Sequence, residues 1–311
     1  MSQEPILVTG SHRSGSTWVG RTLARSATVT YINEPFHPRS QAGVCRTRPA
    51  HWYEYVCSEN ENQRGWRDSL GKTLSLKYDL GAGARAIRVP RDVGRLCRDW
   101  SVFTLSRLTG GRALLKDPIA FFSTPWIADR FDARVIVLTR HPAAFASSLV
   151  RLNWTFDFTH WLNQPLLMRD LLSPFRNELE MAVTENLDTV AQASLCWKII
   201  ASVTKKWEEE HPEWMFRTHE ELSRDPVSEF EDLFAFAGLK YENHIQSAIV
   251  RNTRKGNPAE APSGHADALR RDSRANVKNW KHRLDPSQVA RIRDSVGEIA
   301  EHFFDEHSWA D

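Results

Sequence analysis

Short apolar runs alternate with longer amphipathic stretches along most of the chain, and the alternation predicts the fold class. Ile6-Leu7-Val8-Thr9 is an apolar run that stops at Gly10, the pattern of a strand buried on both faces. Apolar positions at Trp18, Val19, Leu23 and Ala27 predict a helix over 17–27 that packs on a sheet. Val29–Ile32 reads as a second strand, after which Pro35 and Pro38 force a loop. Ala113–Lys116 reads as a third strand, stopped by Asp117-Pro118. The clearest buried strand is 134–139, with Val135-Ile136-Val137-Leu138 at its centre; Pro142 then suits the first turn of a helix running to about Leu152. A long helix over 192–210, a fifth strand at Trp214–Phe216, a helix over 227–237 closed by Gly238 and a last helix over 286–304 complete the series.

The remaining segments are less regular. Helices fit 92–108 and 120–131, the second interrupted by Pro125, and 251–272 reads as loop. Strands alternating with helices predict an α/β fold, three layers (α/β/α) around a central, mostly parallel sheet. One domain is expected over 1–311, with helical insertions at 40–112 and 153–190 shaping an acceptor site, since ligands of such sheets bind beyond the carboxyl ends of the strands.

Composition narrows the class. A hydrophobic fraction of 41% and a charged fraction of 26% are those of an ordinary globular protein. A net charge of +2 gives no overall field for nucleic acid. The charge is uneven, however: Arg251–Arg283 holds nine Lys/Arg against three Asp/Glu. That excess suits a compact anionic ligand better than a long polyanion. No apolar run approaches the roughly 20 residues of a membrane helix. The acidic start Met1-Ser2-Gln3-Glu4-Pro5 does not read as a signal peptide, so a cytoplasmic location is expected. Cys45, Cys57, Cys97 and Cys196 lack metal-ligand spacing, which predicts free buried thiols and no metal site. The sequence leaves oligomeric state open.

Gly10 and Gly15 stand four residues apart between a strand and a helix, the G-x-x-x-x-G frame of a P-loop. Backbone N–H groups of such a turn, with the helix N-terminus, cradle a phosphate. A kinase loop would continue with lysine; here Ser16 and Thr17 follow, and the cation is Arg13 inside the loop. No strand ends in a clear metal-binding aspartate, Leu115-Lys116-Asp117 being nearest. A P-loop small-molecule kinase and a non-catalytic nucleotide-binding protein on the same P-loop NTPase-like fold are the competing readings.

At these residues the chain resembles the PAPS-dependent sulfotransferase family, PAPS being 3′-phosphoadenylyl sulfate. Arg13-Ser14-Gly15-Ser16-Thr17-Trp18 is similar to that family's 5′-phosphosulfate loop, in the arginine form of the carbohydrate and many bacterial members. Val135 through Thr139-Arg140-His141-Pro142 to Ser147-Ser148 resembles the 3′-phosphate motif, with Arg140 and Ser148 at its spacing. His219-Glu220-Glu221-Leu222 with Asp225-Pro226 looks like a Tyr-Glu-x-Leu…Asp-Pro element, His219 standing for the tyrosine. Ser273-Arg274-Ala275-Asn276 with Trp280-Lys281 is similar to the segment that closes over the nucleotide. The resemblance implies a sulfotransferase acting on a carbohydrate or other small-molecule hydroxyl, with PAPS as donor, 3′,5′-ADP as product and no metal. It implies nucleotide-binding roles for Arg13, Ser14, Gly15, Ser16, Thr17, Trp18, Arg140, Ser148, His219, Arg274, Trp280 and Lys281.

Sulfuryl transfer needs a held donor, cations at the leaving phosphate and a base for the acceptor hydroxyl. Arg13 is the first cation and Lys116, ending a strand, the second. The cytosolic branch of the family places its histidine base two residues after that lysine, where this chain has Pro118. Glu34, after the second strand, fits the glutamate used by the carbohydrate and bacterial branches, and His37 is its rival. Trp18 is placed on the adenine or in the core. His12 reads as a loop spacer and His141 as a capping or structural residue. The cluster Trp154–Trp161 either stacks on an acceptor or fills a core beneath a long loop.

Overall fold

The apolar runs become five strands. These are β1 (Ile6–Gly10), β2 (Val29–Asn33), β3 (Arg112–Lys116), β4 (Arg134–Thr139) and β5 (Met215–Thr218). The computed structural model describes residues 4–185, 187–260 and 269–310. One sheet holds the strands in the order β2-β3-β1-β4-β5. β3 pairs in parallel with both β1 and β2, setting Lys116 opposite Val8 on one side and Asn33 on the other. β1 and β3 are buried along their whole length, and β4 from Val135 onward. That burial is why these strands carry no polar alternation. The α/β fold expected from the sequence is therefore present, with its P-loop-like turn after β1.

Several boundaries differ from expectation. The first helix spans Ser16–Leu23 and stops four residues early. Turn bonds from Arg25 and Ser26 to Thr22 and Leu23 end it, and the Ser26 and Thr28 hydroxyls pair at 3.1 Å. Pro125 does not interrupt a helix: it lies in the first turn of Thr124–Phe131, where the missing N–H costs nothing. The stretch 40–112 contains helices Gln63–Leu74, Leu80–Arg85 and Pro90–Leu108. The stretch 153–190 contains Thr159–Leu162, Pro165–Leu167 and Arg176–Thr184, with a π turn at Met168–Leu172. Pro90–Leu108 lies where a helix over 92–108 was expected, whereas the shorter pieces leave no helical period in the sequence. Helix Asn243–Thr253 enters the stretch expected to be loop, of which 261–268 lies outside the described residues.

The chain forms two compact units: Met1–Thr9 with Val19–Ile136, and Gly10–Trp18 with Val137–Asp311. β1 and β4 contribute residues to both. The first unit is centred on Ile6, Leu7, Val8, Leu114 and Leu115, with Phe36 stacked on Trp66 at 4.1 Å. In the second, helix Thr189–Glu210 packs against helices Pro142–Leu152 and Pro286–Phe303. Val137, Phe145, Trp197 and Trp207 lie at its centre.

Candidate functional site

In the second unit the loop after β1 owes its shape to backbone that only certain residues tolerate. Gly10 has φ 124°, and a Cβ there would lie 2.0 Å from the Leu138 carbonyl oxygen. Gly15 has φ 99°, and its Cβ would meet His219 Nδ1 at 2.8 Å. Between them Arg13 holds φ 66°, a left-handed value uncommon for a side-chain-bearing residue. The Ser14 N–H closes the turn onto the Ser11 carbonyl at 3.2 Å, and Ser16 and Thr17 open the helix. Ser11 Oγ and Ser14 Oγ are buried and have no hydrogen-bond partner among the described residues. A bound anion's oxygens are the partners such hydroxyls lack.

The β4–helix turn meets this loop. Arg13 Nε donates to Ser148 Oγ at 3.1 Å, and Arg140 Nη1 donates to the Arg13 carbonyl at 3.0 Å. The two sequence motifs, far apart in the chain, therefore form one cluster. Arg140 is held from behind by Trp197 Nε1, which donates to its carbonyl at 2.7 Å. Its Nε is buried without a partner among the described residues. Burial brings the Arg140 guanidinium down to about 10; Glu220 opposes the shift, while Arg13, Arg271 and Arg283 add to it. Glu220 lies beside Arg140 and Glu260 pairs with Arg283, so four arginines gather with two acids, a positive surplus that suits an anion.

Arg271 and Arg283 are functional candidates that sequence reasoning did not single out. Arg283 Nη1 lies 3.4 Å from Ser147 Oγ, and its Nε donates to Glu260 at 3.0 Å. The basic excess over 251–283 pointed to this segment without saying which arginines turn inward. Arg274, which was singled out, is exposed and donates to the Arg224 carbonyl at 3.0 and 3.2 Å. Trp280 is buried, stacked on His141 at 5.3 Å. Lys281 Nζ sits 5.3 Å over the Trp280 ring and donates to the Ala310 carbonyl.

His219 lies against the loop, its ring 5.8 Å from that of Trp18. Its Nε2 is 3.4 Å from Asn276 Oδ1, and burial, with Arg140 next in weight, keeps it well below the usual imidazole range. Trp18 is half-buried and also meets Phe230 edge-on at 5.1 Å. The next residue, Glu220, accepts the His141 N–H at 3.1 Å and is pushed up to about 7, chiefly by burial. His141 caps nothing with its side chain: its ring is enclosed by Trp280, Phe304 and Trp309. The Trp154–Trp161 cluster divides. Phe158 and Trp161 are buried, whereas Trp154 is exposed, with the Arg13 guanidinium 5.8 Å from its ring centroid.

In the first unit Glu34 and Lys116 form an ion pair. The Lys116 side chain is 4% exposed and that of Glu34 22%, so the ammonium lies inside and the carboxylate reaches the edge. The Glu34 N–H extends the β2–β3 ladder by donating to the Lys116 carbonyl at 2.9 Å, and Glu34 then turns with φ 45°. Gly20 leaves room for the lysine stem, since a Cβ there would stand 3.1 Å from Lys116 Cγ. Asp117, read in the sequence only as the stop of the third strand and the nearest case to a metal-binding aspartate, is buried. It accepts from Phe36, Ile119 and Ala120 N–H groups at 2.7, 3.0 and 3.1 Å, which orders the loop after Glu34. Burial and then Glu34 push its carboxyl up to about 7. His37 accepts the Arg39 N–H at Nδ1 (2.9 Å) and meets Trp52 edge-on at 5.0 Å. Burial lowers its pKa. One of its two ring nitrogens is therefore already used, whereas the Glu34 carboxylate has a second oxygen.

A family model described as the sulfotransferase family matches residues 5–243. Carbohydrate sulfotransferase 1 of Danio rerio is 27% identical over 200 residues, 63% of this chain and 40% of that protein. The Rattus norvegicus protein of the same name is 29% identical over 60% of this chain. The chain thus matches about two-fifths of the length of these relatives. Among solved structures, the sulfotransferase domain from the curacin biosynthetic pathway aligns over 94% of this chain and 97% of its own, at 16% identity and a TM-score of 0.47. A mouse sulfotransferase complexed with PAP aligns over 97% and 86%, at 15% identity and a TM-score of 0.45.

Proposed function

We propose that this chain, which belongs to the sulfotransferase family, transfers the sulfuryl group of PAPS to an acceptor hydroxyl and releases 3′,5′-ADP. The observation that carries the reading is the joined cluster of Arg13, Ser148 and Arg140 around a loop whose buried Ser11 and Ser14 hydroxyls await acceptors. A donor with two separate phosphate groups suits two anion motifs, one in the Gly10–Ser16 loop and one at the β4–helix turn. Arg13, Ser14, Gly15, Ser16 and Thr17 would hold the 5′-phosphosulfate, and Arg140 and Ser148 the 3′-phosphate. Arg271 and Arg283 add positive charge beside Arg140. Trp18 and His219 would flank the adenine. PAPS supplies the activated sulfuryl group, whose bond to phosphate breaks as the acceptor oxygen bonds to sulfur.

Glu34 is the proposed base, taking the proton that the acceptor hydroxyl loses. Lys116 fixes the Glu34 rotamer through the ion pair and supplies a cation for developing negative charge. His37 is the alternative base. A carbohydrate acceptor is supported by the two relatives named for carbohydrate sulfation. The exposed Trp154 ring offers a face on which a sugar can stack. Four free cysteines, Cys97 among them exposed, suit a reducing compartment such as the cytoplasm. Among the described residues no helix is long and apolar enough to cross a membrane.

The test is mass spectrometry of a panel of oligosaccharides and small alcohols incubated with the protein and PAPS. An acceptor gaining one sulfate, with stoichiometric 3′,5′-ADP, is expected. Thermal stabilisation by ATP–Mg²⁺ but not by 3′,5′-ADP would reject the reading in favour of a kinase.

A further inference from the structure

Helix Pro90–Leu108 in the first unit has 19 residues but only Phe103 is buried, at 4% exposed. Its inner side packs on β2 and on helix Leu80–Arg85. The outer side is not the polar surface such a helix ordinarily presents. Trp100 is 42% exposed, Leu105 65% and Leu108 75%, and Val89, Val93 and Val102 are also exposed. Val93, Cys97 and Trp100 follow the i, i+4, i+7 spacing of one face, and Leu108 continues it. Arg91, Arg95 and Arg98 keep the same spacing, each two residues before a member of that face, so they run along the far flank of the exposed side, next to Leu105 and Val102.

The charge around this face is predominantly positive. Residues 85–108 include six arginines (Arg85, Arg88, Arg91, Arg95, Arg98, Arg107), all exposed, and two acids, Asp92 and Asp99. Both acids lie on the half-buried inner side: Asp92 accepts the Arg88 and Val89 N–H groups at 3.0 and 3.1 Å and lies 3.7 Å from Arg95, and Asp99 pairs with Arg98 at 2.7 Å. The count leaves a surplus of four positive charges, six less two, beside an apolar stripe that no other part of the described chain covers. A second copy of this face does not complement it, because a two-fold contact would set arginine stripe against arginine stripe. A partner that takes up apolar side chains and also presents dense negative charge answers both features. An anionic lipid surface has these properties, with aliphatic and Trp side chains entering the acyl boundary and arginines reaching the headgroups.

The geometry points to helix Pro90–Leu108 as a docking surface that holds the protein peripherally on an anionic lipid bilayer. The proposal is independent of the reaction, since none of these residues belongs to the Arg13–Arg140 cluster or the Glu34–Lys116 pair.

The test is flotation of the full chain with phosphatidylcholine vesicles, with and without phosphatidylserine. Binding to the phosphatidylserine vesicles alone, falling as salt rises, is expected. The triple variant Arg91→Gln, Arg95→Gln, Arg98→Gln should bind roughly 100-fold more weakly, about fivefold per arginine. The triple variant Trp100→Ser, Leu105→Ser, Leu108→Ser should lose about tenfold or more while melting like the parent, because the replaced side chains are exposed. Equal binding of parent and both variants would overturn the proposal. So would a dimer in sedimentation equilibrium, dissolved by the serine variant, from a protein that binds no vesicles.

Discussion

Arg13 and Glu34, to which the proposed chemistry gives most, both stand in left-handed backbone. Each such position costs about 1–3 kcal/mol and persists only where its surroundings hold it. Arg13 is held by Ser148 and by Arg140 on its carbonyl, and Glu34 by Lys116 at both backbone and side chain. Glu34→Gln keeps size and drops the proton-accepting charge. Turnover should fall by about 10²-fold or more while 3′,5′-ADP affinity, read by calorimetry, stays within about twofold. Near-normal turnover would pass the role to His37. Gly15→Ala forces a side chain onto positive φ against His219 Nδ1 at 2.8 Å. Urea unfolding should register a loss of about 1–3 kcal/mol, with weaker nucleotide binding. Gly10 is less forgiving, since its added Cβ would lie 2.0 Å from backbone rather than from a movable side chain. Gly10→Ala should yield no folded protein by circular dichroism.

At the scale of elements, the site rests on junctions. Helix Thr189–Glu210 carries Trp197, whose indole N–H holds the Arg140 carbonyl, so a helix remote in sequence sets where the β4 turn presents its guanidinium. Trp197→Phe keeps the aromatic packing and leaves that carbonyl unpartnered at a cost of about 1–3 kcal/mol. The expected result is a raised KM for PAPS with kcat little changed at saturation; an unchanged KM would remove Trp197 from the positioning of Arg140. The elements legible in the sequence were those whose burial leaves a pattern. β4 and helix Pro142–Leu152 lie where the apolar run and the N1 proline put them. The short helices inside 40–112 and 153–190 were not legible, because their helical state depends on what they pack against rather than on a period of their own. The exposed apolar face of Pro90–Leu108 was equally hidden: a sequence periodicity does not say whether a neighbour covers it.

For the molecule as a whole, buried ionisable groups predict how stability follows pH. Burial, with Arg140 and Lys281, brings His141 down to about 3 inside its aromatic cage, whereas the unfolded imidazole keeps its ordinary value near 6.5. The unfolded chain then binds the proton that the folded chain refuses. This contribution is complete above pH 6.5 and is lost as pH falls toward 3. Asp117 and Glu220, both raised to about 7, act in the opposite direction: the folded chain keeps protons the unfolded chain has released, so they subtract stability as pH rises toward 7. His141→Phe isolates the first effect. Between pH 6.5 and 4 its stability, from urea unfolding, should fall less steeply than the parent's, by up to about 1.4 kcal/mol per pH unit. Parallel profiles would show that His141 titrates normally.

The sequence by itself determined the strand–helix alternation and the glycine-framed loop with Arg13 inside it, which follow from local rules: burial along a strand and positive φ at glycine. Lys116 stood out as a cation at a strand end, whereas Glu34, Arg140 and Ser148 were picked out by resemblance to the sulfotransferase family, and their roles are proposals. Only the tertiary structure decided that Arg13 reaches Ser148, that Lys116 binds Glu34, that Arg283 turns inward while Arg274 turns away, and that Asp117 and Glu220 are buried. Each of these depends on which side chains meet across large separations in sequence. Such meetings are set by packing and desolvation, which no local pattern records.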